Sequence, residues 1–183
     1  MEFNGIIEIE VRKLGLSQIY LNSQKLSNIK KWFNPDDLSN FEPLPVRDYG
    51  DGRLTLTDGH SRAYVAFEAG IEKLPVCYDN DDMVSSELST MLYKEDILWC
   101  KRFGINGISD LCSRIVSDDD YKILWLQRCQ RAYNLFAKLT LEQIETYRKE
   151  REDLFLYGMS NDSKTLYFED KNGISYEVER DKI

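Results

Sequence analysis

The residues of this chain best suited to chemistry stand together in the stretch Asp58-Gly59-His60-Ser61-Arg62. His60 is the only histidine in 183 residues. An imidazole titrates near neutral pH, so it can donate a hydrogen bond or act as a base. Arg62 carries a planar guanidinium that forks onto phosphate or carboxylate oxygens. Gly59 can take backbone angles closed to other residues and lets a ligand approach the main chain. Thr55-Leu56-Thr57 before the stretch is strand-prone, and Ala63, Ala66, Phe67 and Ala69 follow at helical spacing. The five residues therefore fall where a strand hands over to a helix, with Asp58 placed to cap it. The first N–H groups of a helix lack internal partners, and with the helix dipole they form a ready anion site. The plain alternative is an ordinary Asp-Gly turn, with Arg62 paired to a nearby acid and His60 a satisfied structural side chain.

A second acidic group precedes it. Asp36, Asp37 and Glu42 lie in "NPDDLSNFEPLPV". Such a loop can hold a magnesium ion or supply a base beside a bound phosphate, with Glu42 the best single candidate. More commonly such a loop is simply solvated. "DNDDM" at 79–83 lacks the glycine and terminal glutamate of a calcium loop and reads as surface. Trp99 and Trp125 lie among helical apolar residues and read as core.

The elements that must position these residues follow from periodicity. Ile6 to Val11 reads as a strand, and Ser17 to Leu21 as a second short extended piece. Ser23 to Phe33 has Leu26, Ile29, Trp32 and Phe33 at helical spacing, with Ser23 as cap and Asn34-Pro35 as stop. Leu44 to Arg47 and Arg53 to Thr57, split by "DYGDG", predict an antiparallel hairpin. A helix from His60 to Ala69 ends at Gly70. Leu74 to Tyr78 is a strand whose Pro75 suggests an edge or strand-initiating position. One long helix is expected over Ser86–Phe103, a short one within "GINGISDLCSRIV", a third from Ser117 to Leu139 and a fourth after Thr140. "DLFLYGM", "KTLYFED" and "ISYEVER", separated by turn signals, predict a small antiparallel meander. The fold class expected is α+β, with a first part over 1–83, a helical region over 84–152 and a β meander over 153–183.

The stretch 54–70, with its flanks, resembles the phosphate-binding segment of the ParB/sulfiredoxin superfamily. In ParB partition proteins a Gly-Glu-Arg-Arg motif opens a helix whose small residues end in Ala-Gly, and a strand of the form Ile-Pro-Val follows. Gly59, Arg62, Ala66, Ala69 and Gly70 occupy those places here, and Leu74-Pro75-Val76 comes next. The upstream order, a helix before a hairpin, also fits, and the resemblance covers roughly residues 14–80. The Asp-Gly-His-Ser-Arg form is similar to that of the superfamily's free-serine kinases, where it holds nucleotide phosphates. The resemblance implies a small mixed sheet with helices over 1–83. It also implies a nucleotide (ADP, ATP or CTP), with Mg2+ as a candidate companion, held by Asp58, Gly59, His60, Ser61 and Arg62. His60 stands where sulfiredoxin places its reactive cysteine, which excludes that chemistry. The kinases' glutamate, soon after the first strand, has no counterpart around Asn22-Ser23-Gln24; Glu8 and Glu10 lie earlier and Glu42 later.

Composition narrows the partners. Forty-two per cent hydrophobic residues suffice for a core, and the net charge of -8 opposes nonspecific attraction to nucleic acid or anionic membrane. Residues 84–152 carry 11 acidic and 11 basic residues, without the dense basic stripe of a DNA-reading helix. The first residues lack the basic and apolar regions of a signal peptide, and no stretch approaches the length of a membrane span. Cys77, Cys100, Cys112 and Cys129 form no Cys-x-x-Cys pair, so reduced, buried thiols in a cytoplasmic protein are expected. Three functions follow as expectations. The first is binding of a nucleotide or other phosphorylated small molecule, with phosphoryl transfer the reaction class if it is an enzyme and His60 or Glu42 the base. The second is a non-catalytic regulatory module with a protein partner or self-association, and the third is a ParB-like DNA-associated protein.

Overall fold

A computed structural model describes residue 2 and residues 4–183. It is an α+β structure that divides into two compact units, Met1–Tyr121 and Lys122–Ile183. That division falls inside the helical region 84–152, not at either composition boundary.

The first unit opens with β1 (Ile6–Glu10), a 3-10 turn (Val11–Lys13), β2 (Leu21–Asn22) and α1 (Ser23–Trp32). It continues with β3 (Leu44–Asp48), β4 (Leu54–Leu56), α2 (His60–Glu68) and β5 (Lys73–Tyr78). Then come α3 (Asp82–Ser85), α4 (Glu87–Arg102), a 3-10 segment (Ile108–Arg114), β6 (Ile115–Val116) and α5 (Asp118–Tyr121). The main sheet is mixed, in the order β1-β5-β3-β4, with β5 and β3 parallel and the outer pairs antiparallel. Period-2 alternation explains its buried face. Leu44 pairs with Val76 and Val46 with Leu56, and all four, with Leu74, are fully buried. The expected hairpin is β3–β4. Gly70, at φ +83°, follows the end of α2.

Local chemistry moves several boundaries. Asn22, not Ser23, caps α1: its Oδ1 accepts from the N–H groups of Gln24 (2.8 Å) and Lys25 (3.1 Å). The extended piece expected over 17–21 pairs regularly only at Leu21 and Asn22, with Ile115 and Val116. Upstream, Gly15 lies against β4 instead. Its N–H donates to Leu54 O (2.9 Å) and its carbonyl accepts from Leu56 (3.0 Å). A Cβ at Gly15 would stand 2.2 Å from Thr55 Oγ1, so only glycine permits this approach. Pro75 lies in an interior strand, but β3 pairs with β5 only from Val76 onward, so proline interrupts no ladder to β3. Ser86 caps α4 and breaks the expected helix from the short α3 before it.

The second unit begins with a π-helical stretch (Lys122–Leu126), which interrupts the helix expected over 117–139, and passes into α6 (Gln127–Lys138). A Thr140–Gln143 capping box starts α7 (Leu141–Glu150). The meander β7 (Phe155–Met159), β8 (Thr165–Glu169) and β9 (Ser175–Glu179) is antiparallel throughout, as its alternation predicts. Leu135, Leu139, Ile144, Leu156, Met159, Leu166 and Phe168 form its core. A buried Arg128–Glu169 pair at 2.7 Å joins α6 to β8, with Arg128 over the Tyr157 ring. The cysteines are free thiols, but only Cys100 is buried; Cys112 is exposed and the other two are half-buried. Among the described residues, no helix is long and apolar enough to cross a membrane.

Candidate functional site

The turn from β4 into α2 is built around Gly59. Its φ of +80° lies in the left-handed region, and a Cβ there would approach Leu44 Cδ2 to 2.6 Å and Arg62 Nη2 to 3.1 Å. Gly59 is itself the N-cap, and no side chain caps the helix. Asp58 therefore does not cap α2, because the left-handed turn takes its carboxylate to Arg62 instead, with Oδ2 3.8 Å from Nη2. The leading N–H groups of α2 are left without a capping carboxylate, as an anion site requires.

His60, the first residue of α2, is only 4% exposed. Its position follows from the Gly15–β4 contact, which lays Ser17 beside it. The Ser17 hydroxyl donates to Leu56 O at 2.8 Å, and the Ser17 N–H donates to His60 Nε2 at 3.1 Å. An Nε2 that accepts a backbone proton fixes the neutral tautomer with its hydrogen on Nδ1. Burial pushes the His60 pKa down from 6.5 to about 4, partly opposed by the Asp58 charge. The imidazole is therefore a neutral donor at pH 7, and its basic nitrogen is already engaged.

Arg62 lies one turn into α2, with its side chain 18% exposed. Its Nη1 donates to the Glu42 main-chain oxygen at 3.1 Å, and its guanidinium lies over the Phe41 ring at 6.0 Å. The Glu42 carboxylate stands 3.8 Å from Nη1.

Asp58, Gly59, His60, Ser61 and Arg62 all line one open groove of about 320 Å3, a size suited to a small ligand. Its other lining residues are Gln18, Lys25, Asn28, Ile29 and Tyr121. Lys25, Asn28 and Ile29 share one face of α1 by their i, i+3, i+4 spacing. The Lys25 ammonium lies 5.7 Å from the Tyr121 ring centroid. Asn22 holds this corner together, capping α1 through Oδ1 while its Nδ2 donates to Asp118 Oδ1 at 2.7 Å. Lys25 was legible in principle, as a cation in the first turn of a capped helix. Nothing in the sequence links Tyr121 to the turn at Gly59.

The acidic loop contributes less than its composition suggests. Glu42 reaches the site through its carbonyl and its contact with Arg62. Asp37 folds back to accept from the Ser39 N–H at 2.9 Å, and neither Asp36 nor Asp37 lines the groove. The described residues contain no group of three or more His, Cys, Asp or Glu placed to hold a metal ion. Asp58 lines the groove and Glu42 stands 3.8 Å from Arg62, and a magnesium ion held by these two carboxylates would need phosphate oxygens to complete its shell. Two larger hollows, of about 470 and 490 Å3, lie around Glu10 and Lys73. Glu10 is already paired with Lys13 at 2.8 Å, and neither hollow contains a residue from the turn.

A scan against protein-family models and a search of curated proteins returned no match to this chain.

Proposed function

We propose that this is a cytoplasmic protein that binds a nucleotide or other phosphorylated small molecule in the groove at the Asp58–Arg62 turn. One observation carries the reading. His60 lines the groove with its Nε2 held by the Ser17 N–H, and among the described residues its Nδ1–H has no protein acceptor, so that proton is offered to the groove. Nδ1 is not one of the wholly buried polar atoms left without a partner, so its proton is open to whatever occupies the groove. The acceptor that suits this place is an anion, because the start of α2, Arg62 and Lys25 surround it. The likeness of the turn to the ParB/sulfiredoxin phosphate-binding segment supports the same choice, and free thiols suit a reducing compartment.

Phosphoryl transfer is the reaction class such a site would serve, through positioning and charge neutralisation. The state of His60 favours a second reading, a regulatory module that binds without turnover. A histidine whose basic nitrogen is engaged and whose pKa is near 4 is a poor base at pH 7. Glu42 is then the candidate base that remains.

The test is thermal shift followed by calorimetry on wild type and Arg62→Ala. The ligands are ADP, ATP, CTP, phosphate and pyrophosphate, each with and without magnesium. A ligand at 100 times its Kd stabilises the fold by about 2.7 kcal/mol. Stabilisation in wild type that is lost in Arg62→Ala is the expected result, and a flat panel in wild type overturns the reading. Turnover of the bound nucleotide would separate the transferase from the regulatory module.

A further inference from the structure

Arg62 meets the groove already carrying two carboxylates. Asp58 Oδ2 and Glu42 Oε2 each stand 3.8 Å from one of its terminal nitrogens. A tight charge-assisted bond is about 2.7–2.9 Å, so neither contact is closed. The two acids are also unusually free to leave, with side chains 84% and 88% exposed. The guanidinium is held by other means, through the Glu42 carbonyl and the Phe41 ring. The cation is thus fixed and its counter-charges are movable. Taken alone, this trio carries a net charge of one negative, so any anion must outcompete the two carboxylates for Arg62, and only one with several strong acceptor oxygens does so well.

We infer that Asp58 and Glu42 are specificity-determining residues of the groove. They occupy Arg62 as internal anions and admit only ligands dense enough in negative charge to displace them. Phosphate dianions and diphosphates meet that requirement; monocarboxylates, which match the side chains they would replace, do not. The inference rests on the reading of the turn as a phosphate site, and it goes beyond that reading in sign. Removing the Glu42 or Asp58 charge improves anion binding, where a base at Glu42 or a phosphate-holding role for Asp58 would require a loss.

The experiment is calorimetry at pH 7.5 and low salt, with inorganic pyrophosphate and acetate as probes. The proteins are wild type, Glu42→Gln, Asp58→Asn and the double variant. Both positions are exposed and both replacements keep the shape, so melting temperatures should stay close to wild type. Each single variant should bind pyrophosphate up to about five-fold more tightly, the scale of one exposed ion pair. The double variant should gain more than either single variant, and for acetate as well as pyrophosphate, so that a monocarboxylate too weak to displace the two acids in wild type becomes measurable. Unchanged or weaker pyrophosphate binding in the variants, with wild type binding normally, overturns the inference and leaves the phosphate site standing. Weakening seen only with magnesium present also overturns it, and makes the two acids metal ligands. A wild type that binds neither pyrophosphate nor nucleotide removes the phosphate site itself.

Discussion

His60 makes stability depend on pH in a way that can be calculated. In the folded protein its pKa is about 4, against 6.5 for an exposed imidazole. Between these values the unfolded chain binds a proton that the folded chain refuses. Stability from this group is therefore complete above pH 6.5 and is lost as pH falls towards 4. The full span of about 2.5 units is worth about 3 kcal/mol, and the part between pH 7.5 and 5.5 about 1 kcal/mol. The upper window is the practical one, because the sequence pI of 4.8 invites association at lower pH. The control is His60→Gln, whose amide oxygen can still accept from the Ser17 N–H but does not titrate. Urea unfolding of both proteins at pH 7.5, 6.5 and 5.5 should show wild type losing about 1 kcal/mol more than the variant. Other titrating groups contribute equally to both proteins and cancel. Because the chain has one histidine, its Hε1 proton resonance reports the pKa directly. Parallel stability curves, or an Hε1 resonance titrating between pH 6 and 7, would refute the account of His60 as a buried neutral donor.

Two further predictions test the frame around the site and the second unit. Gly59→Ala places a Cβ 2.6 Å from Leu44 at a φ of +80°, so thermal unfolding should show a loss of about 1–3 kcal/mol, with anion binding weakened as well. Glu169→Gln removes the carboxylate that stands 2.7 Å from the buried Arg128 guanidinium, and urea unfolding should show a loss of up to about 3–5 kcal/mol. Replacing both residues with methionine should recover most of that loss, because the desolvation cost disappears with the charges.

Much of the architecture was legible because its signals are local. The strand-to-helix turn at Asp58, the β3–β4 hairpin and the C-terminal meander each follow from alternation plus turn residues within a dozen positions. What could not be read is non-local or depends on one side chain choosing between two uses. Asp58 had the chemistry of a cap, but a left-handed Gly59 took the cap position and sent the carboxylate to Arg62. Asn22 outbid Ser23 as cap because its amide could also reach Asp118, 96 residues along the chain. Glu42 was readable as an acid near the site, but its carbonyl, which holds Arg62, is invisible in any residue type. Tyr121 carries no local mark of belonging to a groove built mainly from residues 18–62. The break after Tyr121 was hidden because a π-helical stretch keeps an apolar pattern that reads as unbroken helix.

The state of His60 also bears on which property the site was shaped for. A histidine meant as a base needs its lone pair free and its pKa near the working pH. Here burial and the Ser17 N–H remove both, and the cost is a narrower pH range of stability. The same arrangement suits a donor well. A neutral Nδ1–H keeps its proton and its geometry from pH 5.5 upward, because the ring that carries it is held by burial and by the Ser17 N–H. On the proposed reading, charge selection falls to Arg62 and the two exposed carboxylates beside it, which stand clear of the buried ring. On the proposed reading, a fixed neutral donor beside an exposed charged shell serves to recognise an anion.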